Sequence, residues 1–192
     1  MNAGLTVEDS SISGLASNDA RVRTQAAEEL FARGGQLVEP ILAEWRRDAE
    51  LGELLHLQAP RITVGVAVIP GSFEKIRAAN GDPRLADVPP DQDAMEFELH
   101  FGANVRLDIL TTKDPRGGGA IARFLEKLGE GIQQVELEVK NCESATNRVR
   151  SAFGVKPLYP ATRPGADGTR VNFFLASRPD GRKVLIELVE AR

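Results

Sequence analysis

Gly129-Glu-Gly-Ile-Gln-Gln-Val-Glu-Leu-Glu-Val139 decides how this chain is read. Ile132, Val135, Leu137 and Val139 are apolar while Gln134, Glu136 and Glu138 are polar, the period of two that a strand with one buried and one open face requires. Lys183 to Glu190 supplies a partner strand, with Val184, Ile186 and Leu188 on one face and Leu185, Glu187 and Val189 on the other. Glu187 is the lone charge within that apolar run. An ionised carboxylate is seldom buried alone, so it is either paired or it binds something.

Outward from this strand the chain becomes regular. A helix over Ala120 to Leu128, with Ile121, Phe124 and Leu125 inward, precedes it, and a helix from an Asn141 cap to Phe153, ended by Gly154, follows it. A short strand near Val155 to Tyr159, a Gly/Pro loop over 163–168 and strands over 170–176 and 183–190 complete a β-α-β-β-β order. The same order comes earlier. Arg61 to Val68 alternates Ile62, Val64, Val66 and Val68 with Thr63, Gly65 and Ala67, and a short helix, Ser72 to Ala79, follows. After a Pro- and Asp-rich loop over 82–93 with room for a brief edge strand, Met95 to Phe101 carries Glu96, Glu98 and His100 on its polar side. In Val105 to Leu110, Arg106 and Asp108 share the polar side. The spacing predicts an internal duplication of a unit of about 60 residues, with modules at about 61–112 and 131–190. Two such modules can wrap their sheets into one curved surface with an open concave face for a ligand. The expected class is therefore α+β.

Residues 1–17 are small, polar and Ser-rich and read as a loose leader. Residues 18–58 read as a helical hairpin. Val22, Ala26, Leu30 and Phe31 share a face of the first helix, which Gly34-Gly35 is expected to stop. A second helix over about 37–55 carries Val38, Ile41, Leu42 and Trp45, with Pro40 in its first turn. The wording Asp19-Ala-Arg-Val-Arg-Thr-Gln-Ala-Ala-Glu-Glu-Leu30 resembles one HEAT-type helical unit without a second copy. A unit of that kind cannot bury its face alone and must pack on the following domain or on another subunit. Gln58-Ala-Pro60 marks the boundary to a domain over 59–192.

Composition narrows the partners. With 192 residues, 42% of them apolar and 27% charged, the chain is long enough for a sizeable core. A net charge of −4 gives no general attraction to nucleic acid or to an anionic membrane, and no basic stripe with interleaved aromatics exists. The single cysteine, Cys142, excludes an internal disulfide and any CxxC motif. No apolar run approaches the roughly 18 residues of a membrane span, and Met1 to Gly14 holds no apolar signal core. A reducing, cytoplasmic setting is expected.

Four stretches together carry a family resemblance: Gly129 to Asn141, Ala152-Phe-Gly-Val155, Arg163-Pro-Gly-Ala-Asp-Gly-Thr-Arg-Val171 and Val184-Leu-Ile-Glu-Leu-Val-Glu190. They resemble the second half of methylmalonyl-CoA epimerases, members of the vicinal oxygen chelate superfamily with the glyoxalases and extradiol dioxygenases. The likeness is specific over 105–190 and weak over 61–101. It implies paired βαβββ modules in one domain, preceded here by the hairpin. It also implies a metal on the concave face, proton transfer next to the carbonyl of an acyl thioester, a small-molecule ligand and a homodimer. The family holds its metal with two histidines, a Gln or Glu and a C-terminal glutamate. By the resemblance these positions fall on Thr63, Gln134, Asp108 and Glu187, so both imidazoles are replaced. Loss of two nitrogen donors weakens zinc, cobalt or nickel. The remaining oxygens suit magnesium, calcium or manganese better, and His100 adds a nitrogen if it faces the same cavity.

Three readings of that face stand side by side: a retained divalent ion (Mg, Mn, Ca or Co), a metal-free polar pocket that holds a ligand without turnover, and a decayed site whose carboxylates pair with Arg106 or Arg170. Glu96, Glu98 and Glu136 are a solvated sheet face or, if crowded in a cavity, candidate bases through a raised pKa. Gly117-Gly118-Gly119 before a helix is a flexible linker or an anion cradle without the Lys-Ser/Thr of a phosphate loop. Cys142, on an inward helix position, is read as packing.

Overall fold

A computed structural model describes residues 7–56 and 60–190. The first six positions of the expected leader and most of the expected boundary at Gln58-Ala-Pro60 lie outside the described residues. The chain packs as two compact units, one of residues up to 33 with 64–133 and one of 34–63 with 134–192.

In the first unit, strands β1 (Ile62–Ala67), β2 (Met95–Phe101) and β3 (Val105–Thr111) lie in the order β2-β3-β1. β3 runs parallel to β1, with Gly65 opposite Asp108, and antiparallel to β2, with Glu98 opposite Asp108. Strict alternation then sends Val64, Val66, Phe97, Leu99, Leu107 and Ile109 to one face. There they meet Phe73 and Ile76 of helix α4 (Pro70–Ala79) and Ile12, Ala26 and Leu30 from the N-terminal helices. The rings of Phe73 and Phe97 meet edge-on at 4.8 Å. The leader therefore departs from expectation: Val7–Gly14 is helix α1, with Ile12 and Leu15 buried. Gly14 allows it to sit down on helix α2 (Ala20–Trp45), since a Cβ there would lie 2.8 Å from that of Ala26. No strand forms over 82–94, where the N–H of Ala86 donates to the carbonyl of Glu96 at 3.0 Å.

Asp93 organises the triglycine loop. Its carboxylate accepts from the Thr112 hydroxyl at 2.6 Å and from the N–H groups of Lys113 and Asp114 at 2.9 and 3.0 Å. A Cβ on Gly119 would fall 2.5 Å from Asp93 Oδ2. The start of helix α5 (Ala120–Leu128) thus already faces an internal anion, which is what the glycine makes room for.

In the second unit, β4 (Gly131–Glu138), β5 (Arg163–Pro164), β6 (Arg170–Ser177) and β7 (Lys183–Glu190) take the order β4-β7-β6-β5. Val135, Leu137, Val139, Phe174, Ile186 and Leu188 pack against helix α6 (Cys142–Phe153) and against Val38, Ile41, Leu42, Trp45, Leu51 and Leu55. The Trp45 ring lies 6.3 Å from Phe153 and 6.4 Å from Phe174. Asp48 caps helix α3 (Ala49–Leu54) through the N–H of Leu51 and holds the Arg148 guanidinium of α6 at 2.9 and 2.5 Å. Cys142 is packing, with its thiol against the carbonyl of Leu188 at 3.5 Å and pushed up to about 11 by burial.

Two local expectations fail for identifiable reasons. Gly34-Gly35 do not stop a helix: α2 continues through them and through Pro40 to Trp45. A helical glycine costs about 1 kcal/mol and an interior proline about 3. Burial of Val38, Ile41, Leu42 and Trp45, at about 1.5–3 kcal/mol each, outweighs both. The strand expected over Val155 to Tyr159 shrinks to a bridge between Pro157 and Phe174, plus the Leu158 N–H donating to the Phe173 carbonyl at 2.7 Å. Pro157 and Pro160 have no N–H to give a continuous ladder, and a second short pairing forms at Arg163–Pro164, where Arg163 is opposite Val171.

Gly35→Ala meets only Ile62 Cδ1 at 3.8 Å and is expected to raise the free energy of unfolding in urea by about 0.5–1 kcal/mol. Asp93 has its carboxyl held below the ordinary value, first by the Thr112 hydroxyl. Its contribution is complete above the ordinary aspartate pKa and is lost as pH falls through the lowered one. Unfolding midpoints measured from pH 7 downward should drop below about pH 4, and Asp93→Asn should lower the neutral-pH midpoint and flatten that drop.

Candidate functional site

The parallel register of β4 and β7 sets Glu136 opposite Glu187, with Gln134 two residues before Glu136 on the same face. Gln134 Nε2 donates to Glu187 Oε2 at 2.6 Å and to Glu136 Oε1 at 3.2 Å. Gln134 is 7% exposed and Glu187 9%. The lone charge of the β7 run is therefore held by an amide, a charge-assisted bond of about 1.5–3 kcal/mol. Thr63 of β1 is buried, 8% exposed. Thr63 lies two residues beyond Arg61, whose carbonyl accepts from the Glu138 N–H at 3.1 Å and whose guanidinium pairs with the Glu138 carboxylate at 3.0 Å.

One strand further along the same face, Phe173 of β6 sits opposite Glu187. Its ring meets Tyr159 edge-on at 6.0 Å, and the Arg163 guanidinium lies 4.6 Å above the Tyr159 ring. The sequence reading did not single out these three residues. The parity of β6 against β7 would have found Phe173. Tyr159 and Arg163 arrive through a proline-rich loop that has no period to read.

The remaining expected residues belong to the first unit. Asp108 is buried and stands opposite Gly65 and Glu98. His100 Nε2 and Glu98 Oε2 lie 2.8 Å apart, with side chains 57% and 59% exposed, so the two form a pair in water. Glu96 is half-buried opposite Leu110. Asp108, Glu98, Glu96 and His100 thus share the polar side of the β2-β3 ribbon, while Gln134, Glu136 and Glu187 form their own cluster in the second unit.

The atom that Gln134 turns to both carboxylates is its amide nitrogen, which has hydrogens to give and no lone pair for a cation. Thr63 offers a hydroxyl where the resemblance places an imidazole. Among the described residues no group of three or more His, Cys, Asp or Glu is placed to hold a metal ion, and no helix is long and apolar enough to cross a membrane.

No family model matches the chain, and no curated protein matches it. Solved structures do. The methylmalonyl-CoA epimerase of Mycobacterium tuberculosis is 31% identical, with a TM-score of 0.55 over 68% of this chain and 86% of that one. A hypothetical protein of Bacillus halodurans C-125 is 25% identical, with a TM-score of 0.52 over 68% of this chain and 91% of its own. A methylmalonyl-CoA epimerase in complex with methylmalonyl-CoA and NH4+, 24% identical at a TM-score of 0.52, covers 69% of this chain and 94% of its own and shares the fold.

Removing the amide takes one charge-assisted donor from the Glu187 carboxylate. Gln134→Ala is expected to lower the unfolding free energy by about 1–3 kcal/mol. Glu187→Gln, which keeps an oxygen for the Gln134 amide to reach, should cost less than half as much in the same urea titration.

Proposed function

The chain belongs to the vicinal oxygen chelate family, the family of the methylmalonyl-CoA epimerases, and from that premise we propose that it binds a small molecule on the β4-β7-β6 face without a metal ion. In this reading residues 59–192 form the ligand-binding domain and the preceding helices are its scaffold. The observation that carries the reading is the Gln134 amide, which donates to both Glu187 and Glu136. The amide hydrogens do for the two carboxylates part of what a cation would do.

The ligand follows from the charge. The two carboxylates set level by β4 and β7 are acceptors, so the favoured partner brings donors: ammonium, amide N–H or hydroxyl. The competing reading is proton transfer next to the carbonyl of an acyl thioester, as in the epimerases. That chemistry develops negative charge on an enolate oxygen, which a cation must balance. On this face the developing charge would meet Glu136 and Glu187, which supports binding over turnover.

Calorimetric titration with manganese, cobalt, zinc and magnesium tests the reading. The unaltered protein should show no saturable uptake, whereas a Thr63→His/Gln134→His double variant should gain cobalt or zinc affinity by about 100-fold or more. Stoichiometric metal binding by the unaltered protein that disappears in Glu187→Ala would overturn the proposal in favour of the metal-assisted reaction.

A further inference from the structure

One strand edge of the first unit lacks the cover that its counterpart in the second unit has. Independently of the ligand reading above, we infer that the outer edge of β2 docks a second copy of this chain. The two β2 strands pair antiparallel, with Glu98 of each copy opposite His100 of the other.

The two units end their strand orders differently. In the second, β6 is covered on its outer side: Arg163 and Pro164 of β5 pair with Val171 and Arg170, Pro157 bridges to Phe174, and the Leu158 N–H donates to the Phe173 carbonyl at 2.7 Å. In the first, β2 ends the order β2-β3-β1, and the segment before it, 82–94, forms no strand. Pro83, Pro89 and Pro90 take from that segment N–H groups that a covering strand would have to give. Its contact with the edge is the Ala86 N–H, which reaches the Glu96 carbonyl at 3.0 Å. That contact also shows how β2 is turned. In an antiparallel ladder the N–H and C=O of alternate residues point to the same neighbour. The Glu96 carbonyl is met from outside, so the backbone groups of Glu98 and His100 point outward as well, away from β3. Both residues are exposed, and β3 is the one strand neighbour of β2 among the described residues. An edge of this kind is a template for another strand.

The charge pattern of the edge makes the chain its own complement. The open stretch runs from the Ala86 contact at Glu96 to the turn at Gly102, whose φ of +61° ends the strand. About a two-fold axis, Glu98 opposite Glu98 or His100 opposite His100 would set like groups level, which is unfavourable. Glu98 opposite His100 sets a carboxylate against an imidazole on both sides of the axis, and each such pair exchanges both of its backbone hydrogen bonds. Within one chain His100 Nε2 and Glu98 Oε2 already lie 2.8 Å apart. The dimer therefore sets two of these pairs side by side with acid and imidazole alternating, and neither side chain has to leave the other. A contact this short belongs to the weak, concentration-dependent class.

Sedimentation velocity of the full chain from about 1 to 500 μM tests this. The unaltered chain should pass from monomer towards dimer across that range. His100→Pro removes an outward N–H and leaves the ladder to β3 in place, because proline is accepted on an edge strand where its missing N–H faces away from the neighbour. It should abolish the dimer while the circular dichroism spectrum stays that of the unaltered chain. Charge gives a second readout that needs no proline. Glu98→Lys and His100→Glu should each weaken self-association by about tenfold, and an equimolar mixture of the two variants should regain a mixed dimer, since every facing pair is then of opposite sign. A chain that stays monomeric throughout would overturn the proposal. So would a dimer that persists in a folded His100→Pro variant, or a mixture that associates no more tightly than its two components.

Discussion

The strands of each unit have a face that must be kept from water, and the helices are arranged by that requirement. In the second unit the face is Val135, Leu137, Val139, Phe174, Ile186 and Leu188, and its cover is α6 with Val38, Ile41, Leu42, Trp45, Leu51 and Leu55. In the first it is Val64, Val66, Phe97, Leu99, Leu107 and Ile109, covered by α4 and by Ile12, Ala26 and Leu30. Burial at about 25 cal/mol per Å2 is the largest favourable contribution available. It explains why one helix tolerates Gly34, Gly35 and Pro40 in its interior, and why a polar N-terminal segment becomes helix α1. The N-terminal helices are thus part of the core.

Covering one face defines the other. On the other side of β4 and β7 alternation leaves Gln134, Glu136 and Glu187, and the parallel register brings the two carboxylates level. Like charges at that spacing repel, and the bridging Gln134 amide relieves it by donating to both. An amide is well suited to this because it offers two hydrogens without adding charge. It is poorly suited to hold a divalent ion in the same orientation, since the nitrogen that faces the carboxylates has nothing to donate to a metal.

The family and the site therefore answer different questions. The 31% identity to an epimerase at a TM-score of 0.55 goes with a shared fold. Function is proposed for a few side chains on the other face, Gln134 and Glu187 among them, and these are not the residues that make the core. A shared fold is compatible with different chemistry because the core residues that specify it are not the ones that touch a ligand.

What the sequence by itself determined is whatever depends on period. The alternation in 129–139 and 183–190 specified two strands, their buried faces and the α+β class, and it singled out Glu187 as a charge in need of a partner. The repeat of that order from residue 61 specified the duplication, because the chemistry of alternation is local and needs no neighbour to be read. Tertiary structure alone decided which partner Glu187 takes, since Gln134 reaches it only once β4 and β7 are side by side at a separation of 53 residues. It also decided the course of α2 through two glycines and a proline, where burial overrides propensity. Finally, it placed Tyr159 and Arg163 beside Phe173, because a proline-rich loop has no period and its path is set by the strand edge it lands on.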